Sequence, residues 1–145
     1  MGSGSIATRR MSAKAFLDTN VLIYALTGDD ARSAVAERLL LQGGRISVQV
    51  LNEFASVAHR KLGMSWPEVI EALTQIQALC PDPIPIDVQL HEAGVALAAR
   101  HGLSLYDALI VTAAARARCD VLYSEDMQDG RRFDAGPRIE NPFGV

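Results

Sequence analysis

Three carboxylates in this 145-residue sequence stand alone in apolar surroundings. Asp18 is the only charged residue between Ala15 and Gly28. Glu53 is the only one between Ile46 and Ala58, and Asp107 the only one from Gly102 to Ala115. A helical ion pair needs an opposite charge three or four residues away. Glu53 has Gln49 and Val57 four residues to either side, and Asp107 has Leu103 and Val111. A carboxylate drawn into an apolar interior is costly unless a cation or hydrogen-bond donor compensates it. With few Lys or Arg nearby in sequence, a divalent cation is the simplest partner. Oxygen-only ligands favour Mg2+ or Mn2+ over zinc.

The elements that would position these acids follow from the apolar pattern and its punctuation. Ala15-Phe16-Leu17 predicts a first strand ending in the polar turn Asp18-Thr19-Asn20. Helices are predicted over Val21–Leu26 and from Asp29-Asp30 to Leu41, the latter ended by Gly43-Gly44. Arg45–Val48 is a second short strand, followed by a helix over Val50–Leu62. Ser65-Trp66-Pro67-Glu68 is a capping box with Pro in the first turn, opening a helix to Leu79. Ile84-Pro85-Ile86 is a third, edge-type strand. Helices then run from Asp87 to Arg100 and from Ser104 to Arg118. Asp120–Tyr123 gives a fourth strand and Arg138–Glu140 a weak fifth. Strands alternating with helices indicate an α/β fold whose short parallel sheet is covered on both faces. The helix-rich stretch from Asn52 to Leu79 lacks a strand and predicts a helical arm or hairpin.

This arrangement collects the acids. Asp18 follows the first strand, and Ser124-Glu125-Asp126 follows the fourth. Ligands of open parallel sheets bind beyond the carboxyl ends of the strands. Glu53 and Asp107 fall on early turns of helices leaving the same edge. Four carboxylates there would repel one another without cations. Each acid has a plainer role available: Asp107 could complete a capping box with Ser104, Glu53 could meet a distant Arg, and Asp18 and Asp126 could be cap or turn residues. Their joint placement favours a metal centre. Arg131 and Arg132, soon after Asp126, suit a phosphate backbone, although an ordinary solvated loop would look the same. His59, His91 and His101 lack ligand spacing. Trp66 and Tyr106 read as packing residues.

Composition narrows the class. Hydrophobic residues make up 49% and charged residues 21%, which excludes a disordered chain. No apolar run is long enough to span a bilayer. Cys80 and Cys119 are too isolated for a disulfide framework or zinc site, which fits a cytoplasmic protein. With 14 basic and 17 acidic residues the net charge is −3, unlike a basic nucleic-acid binder. Neutralising four carboxylates with metal would reverse its sign. Residues 1–13 read as an N-terminal extension or cloning remnant.

The segments FLDTNVLIYAL (Phe16–Leu26), LNEFASV (Leu51–Val57), LSLYDALIVTAA (Leu103–Ala114) and DVLYSEDMQDG (Asp120–Gly130) together resemble the PIN-domain nucleases. The resemblance is strongest to the VapC-type toxins of toxin–antitoxin pairs, and it covers residues 14–145. It implies a three-layer α/β/α sandwich with a short, mostly parallel sheet. It further implies an endoribonuclease using Mg2+ or Mn2+ at Asp18, Glu53, Asp107 and Asp126. Asp18 and Asp107 would be direct ligands, while Thr19, Asn20 and Ser124 would support the centre. Glu125 stays open as the fourth ligand in place of Asp126. Implied partners are RNA, a second copy in a homodimer, and an antitoxin protein. The antitoxin would dock in a groove between the first helix and the helical arm, touching Leu22, Phe54 and Trp66. Rival readings are a catalytically silent module of the same fold and a haloacid-dehalogenase-like phosphatase. The phosphatase wants an acid where Asn20 stands and a Lys late in the chain. A phospho-receiver domain wants the same late Lys. Lys14 and Lys61 are the sole lysines.

Overall fold

Phe16 and Leu17 are neighbours in β1 (Ala15–Leu17), and both are buried. Successive strand residues point to opposite faces, so both faces of this sheet are covered. A computed structural model describes residues 14–28 and 30–144; the expectation for residues 1–13 lies outside them. The chain runs through α1 (Thr19–Thr27), α2 (Ala31–Leu41), α3 (Val48–Arg60), α4 (Trp66–Leu79), α5 (Val88–His101) and α6 (Leu105–Arg116) to β2 (Val121–Tyr123) and β3 (Arg138–Glu140). β2 lies between β1 and β3, parallel to both. Register aligns Phe16 with Leu122 and Leu122 with Ile139, a row that is wholly buried.

The expected second and third strands shrink to single bridges. Arg45 pairs with Phe16, and Ser47 with Ile84, both in parallel sense. Ladder-type bonds still join them: Leu17 N–H to the Arg45 carbonyl at 3.0 Å, and Ile84 N–H to the Ile46 carbonyl at 2.9 Å. The pairing continues past β1 in the order expected of a doubly wound sheet, but it is too short to form strands. One reason lies next to it: Ser47 is already the N-cap of α3, its hydroxyl accepting from Val50 N–H at 3.3 Å. The prolines around Ile84 limit the other segment.

Helix starts are set by side-chain caps: Asp18, Asp30, Ser47, Ser65, Asp87 and Ser104 each accept a backbone N–H at the helix they precede. α1 therefore begins at Thr19 rather than Val21. Its expected leading turn is the cap and first turn of the helix itself. α6 ends at Arg116, two residues early, where the chain turns through Arg118 at φ +60°. The α3–α4 stretch is a hairpin rather than a projecting arm, because Phe54, Ala58, Val69, Ala72 and Ile76 all enter the common core. α1 packs on α2 and α3, while α5 runs against α6. This is an α/β sandwich around a short, mostly parallel sheet.

Candidate active site

Asp18 leaves β1 and caps α1, so two elements fix its backbone. Its carboxylate is 3% exposed. Oδ1 accepts from Thr19 N–H at 2.7 Å, and Oδ2 accepts from Ser124 Oγ at 2.7 Å. Burial pushes its pKa up to about 6. The two hydrogen bonds oppose that rise, and the nearby Glu53 and Asp107 charges add to it. Around it, Glu53 on α3 accepts from Thr19 Oγ1 at 3.2 Å and from Gln49 Nε2 at 2.9 Å. Asp107, in the first turn of α6, is half-buried. Its pKa is raised by burial, then by the Asp126 charge, against a hydrogen bond with Ser104. Asp126 is exposed after β2, and its Oδ2 accepts from Asn20 Nδ2 at 3.2 Å.

Glu125 turns another way. Its Oε1 accepts from the Tyr24 hydroxyl at 2.7 Å, and its Oε2 lies 3.3 Å from Arg32 Nε. Its backbone N–H donates to Asn20 Oδ1 at 3.2 Å. Asn20 thus holds both residues of the Glu125-Asp126 pair, one by backbone and one by side chain. Ser124 Oγ, besides donating to Asp18, accepts from the Asp126 and Met127 N–H groups.

Among the described residues, none of the four acids has a Lys, Arg or His nitrogen within 4 Å. Nor do any three Asp, Glu, His or Cys side chains converge closely enough to cage one ion as they stand. The acids form a buried aspartate with flanking carboxylates; Asp18, Glu53 and Asp126 are held by neutral donors, while Asp107 is placed by its backbone N–H, which donates to Ser104 Oγ at 3.2 Å. This set still fits Mg2+ chemically, because Mg2+ is usually held by one or two carboxylates and keeps several waters. An ion at Asp18 would offset the cost of burying its carboxylate, the main cause of its raised pKa, and ease the smaller repulsion from Glu53 and Asp107.

The sequence pattern of the PIN domain matches residues 15–133. The chain belongs to the PIN-domain family. Comparison with curated protein sequences gives no match. Among solved structures, the fold is similar to that of Mycobacterium tuberculosis VapC20, described as a sarcin–ricin loop cleaving toxin. The TM-score is 0.61 at 21% identity, over 77% of this chain and 89% of that one.

Within this PIN fold, Asp18, Glu53, Asp107, Asp126, Thr19, Asn20 and Ser124 gather at one edge of the sheet. Arg131 and Arg132 do not join them. Both are exposed; Arg131 lies over the Phe133 ring at 4.5 Å and donates to Gln128 Oε1 at 3.2 Å. Two other expectations fail. Leu22 and Phe54 are fully buried and cannot line an open docking groove. Trp66 and Tyr106 are not core packing: they are 53% and 60% exposed, with Trp66 stacked on His59 at 4.0 Å. Gln49, Tyr24 and Arg32 were not expected at the site. Gln49 stands four residues before Glu53, a spacing that excludes an ion pair but permits an amide-to-carboxylate bond. Tyr24 and Arg32 reach Glu125 only through the tertiary fold.

Proposed function

We propose that the protein is a divalent-metal-dependent endoribonuclease and the toxin of a toxin–antitoxin pair. The observation that carries this is Asp18: a buried carboxylate at the carboxyl end of a parallel strand, flanked by other acids and, among the described residues, without a cationic neighbour. PIN-family membership supports the nuclease class, and the likeness to VapC20 supports the toxin fold. Asp18 and Asp107 would hold Mg2+ or Mn2+ directly. Glu53 and Asp126 would complete the centre directly or through water. A bound ion would acidify a water and neutralise negative charge on the phosphate.

The chain's own residues supply position. Ser124 and Thr19 N–H aim the two oxygens of Asp18. Thr19 Oγ1 and Gln49 hold Glu53, and Asn20 holds Asp126. With Asp18, Glu53 and Asp126 tethered by neutral donors rather than by cations, their carboxylates keep their charge for the ion and substrate. Asp126 rather than Glu125 is the fourth acid, since Tyr24 and Arg32 already engage Glu125. Arg131 and Arg132 bind the RNA backbone away from the cut. A homodimer, an antitoxin partner and a cytoplasmic setting complete the proposal. No described helix is long and apolar enough to cross a membrane.

Labelled total RNA incubated with purified protein in Mg2+, Mn2+ or EDTA tests this. Cutting should require metal and vanish in Asp18→Asn and Asp107→Asn. Cutting that persists in EDTA, or in either variant, refutes the metal centre. Folded, antitoxin-free protein that cuts no RNA in either metal points instead to a silent PIN module.

A further inference from the structure

One stripe of α3, bearing Gln49, Asn52, Glu53, Ser56 and Arg60, lines an open surface cavity of about 330 Å³ that Tyr106 flanks from the start of α6. The cavity borders the acidic edge. Glu53 is part of its wall, and Tyr106 directly precedes Asp107. Tyr106 leaves 60% of its surface exposed, an unusual placement for an aromatic ring at the start of a helix whose next turns are buried. Arg60 is exposed; its Nε donates to Ser56 Oγ at 3.1 Å, and among the described residues no carboxylate pairs with it.

These groups offer three kinds of recognition at once. The Tyr106 ring offers a stacking face. The exposed Asn52 amide offers a donor and an acceptor, and Arg60 offers a cation. Unpaired RNA is recognised in these terms: a base stacked on an aromatic ring, its edge hydrogen-bonded, its backbone met by positive charge. Polarity along the cavity fits as well. A neutral base is tolerated beside Glu53, whereas a phosphate belongs at the Arg60 end. The seven residues from Glu53 to Arg60 separate those ends by about 10 Å at the helical rise.

We propose that this cavity is a nucleotide subsite that takes one unstacked base of single-stranded RNA next to the scissile phosphate. Tyr106 is its stacking platform, and Asn52 reads the base edge. The subsite thereby sets which nucleotide flanks the cut. This deepens the nuclease reading and rests on it.

Two readouts on the full chain test it. First, the 5′ ends of fragments cut from total RNA in Mn2+ are sequenced for wild type, Tyr106→Ala, Tyr106→Trp and Asn52→Ala. Wild type should prefer one base at a position beside the cut. Tyr106→Ala should flatten that preference and raise KM about 5- to 150-fold with a smaller change in kcat. Tyr106→Trp keeps a ring face and should retain the preference, while Asn52→Ala should broaden it. An unchanged preference and KM in folded Tyr106→Ala overturns the proposal. Second, anisotropy of a fluorescein-labelled single-stranded RNA octamer is followed in the Asp18→Asn background, where no cutting is needed. Adding Tyr106→Ala should weaken binding over the same range, and equal binding overturns the subsite. Tyr106-dependent binding by a protein that cuts no RNA in any metal would remove the nuclease reading and leave the subsite standing.

Discussion

Ser124 Oγ donates to Asp18 Oδ2 at 2.7 Å, although 106 positions separate the two residues. The bond ties the end of β1 to the end of β2 at the point where their carboxyl edges meet. The Ser124 hydroxyl is wholly buried and uses all its capacity, because it also accepts from the Asp126 and Met127 N–H groups, each at 3.2 Å. One small side chain therefore orients the buried acid and shapes the turn carrying Asp126.

Ser124→Ala removes a donor from a buried carboxylate and strands two N–H groups. Stability should fall by about 1–3 kcal/mol. The Asp18 pKa should rise further, because the Ser124 hydrogen bond is the strongest influence now holding it down. The acidic limb of metal-dependent RNA cleavage should move to higher pH. Urea unfolding and a pH–rate profile check the two halves separately. An unmoved limb would show that Ser124 shapes the turn without tuning Asp18.

The raised pKa of Asp18 also makes a stability prediction. In the unfolded chain Asp18 ionises near its ordinary 3.8; in the folded chain it holds its proton to about 6. Between those values the native state binds more protons than the unfolded one, so this group's contribution falls as pH rises. The full loss, reached above pH 6, is about 3 kcal/mol. Asp107 is shifted in the same direction and adds to the trend. Other carboxylates work oppositely at lower pH: Arg116 holds Asp87 down, and His101 and Arg100 hold Asp134 down. The wild type is therefore compared with Asp18→Asn at each pH. In EDTA the variant should gain on wild type steadily from pH 4 to pH 7, and Mg2+ should recover the wild type more than the variant. A stability difference flat in pH would mean that Asp18 titrates normally.

The acids were legible in the sequence because isolation is a local property. Asp18, Glu53 and Asp107 each sit in an apolar stretch with no charge at helical spacing. The strand–helix alternation and the Gly, Pro, Ser and Asp punctuation then placed them at one edge. Strand length was not legible: Arg45–Val48 has strand composition, but Ser47 is taken as a helix cap. Exposure was not legible either. Tyr106 and Leu109 are both apolar-compatible residues on α6, three positions apart, yet one is exposed and the other buried. Leu109 is covered by α5, where it faces Gly94, a tertiary contact that the local sequence does not announce. Partnerships such as Tyr24 with Glu125 span 101 positions and leave no local trace.

That α5–α6 packing rests on Gly94. A Cβ built there would stand 2.7 Å from Leu109 Cδ2, well inside contact distance. Gly94→Ala would normally favour a helix interior by 0.5–1 kcal/mol. Here the clash must push α5 off α6 or force Leu109 from its rotamer, and overpacking of this kind costs about 1–3 kcal/mol. The variant should be destabilised by urea unfolding. Leu109→Ala, which opens the space, should make a second substitution at Gly94 less harmful than it is alone. Additive losses would show that Leu109 already yields.

Glu125 and Asp126 are adjacent acids with opposite engagements, and the difference can be measured. Glu125 is satisfied by Tyr24 and Arg32, with the Arg32 guanidinium also 5.5 Å from the Tyr24 ring centre. Asp126 is held by Asn20 and adds to the raised pKa of Asp107. Glu125→Gln should change RNA cleavage less than about 3-fold and cost at most about 1 kcal/mol, as expected of a partly exposed pair. Asp126→Asn should slow cleavage at least about 10-fold with little change in stability, and it should raise the Mg2+ concentration needed for half-maximal rate. Asn20→Ala should resemble a weaker Asp126→Asn, since it frees the Asp126 carboxylate without removing it. Cleavage rates across a Mg2+ titration for the three variants decide the matter. If Glu125→Gln is the damaging change and Asp126→Asn the mild one, the Tyr24–Glu125 contact must break when metal and RNA bind, and the fourth acid is Glu125.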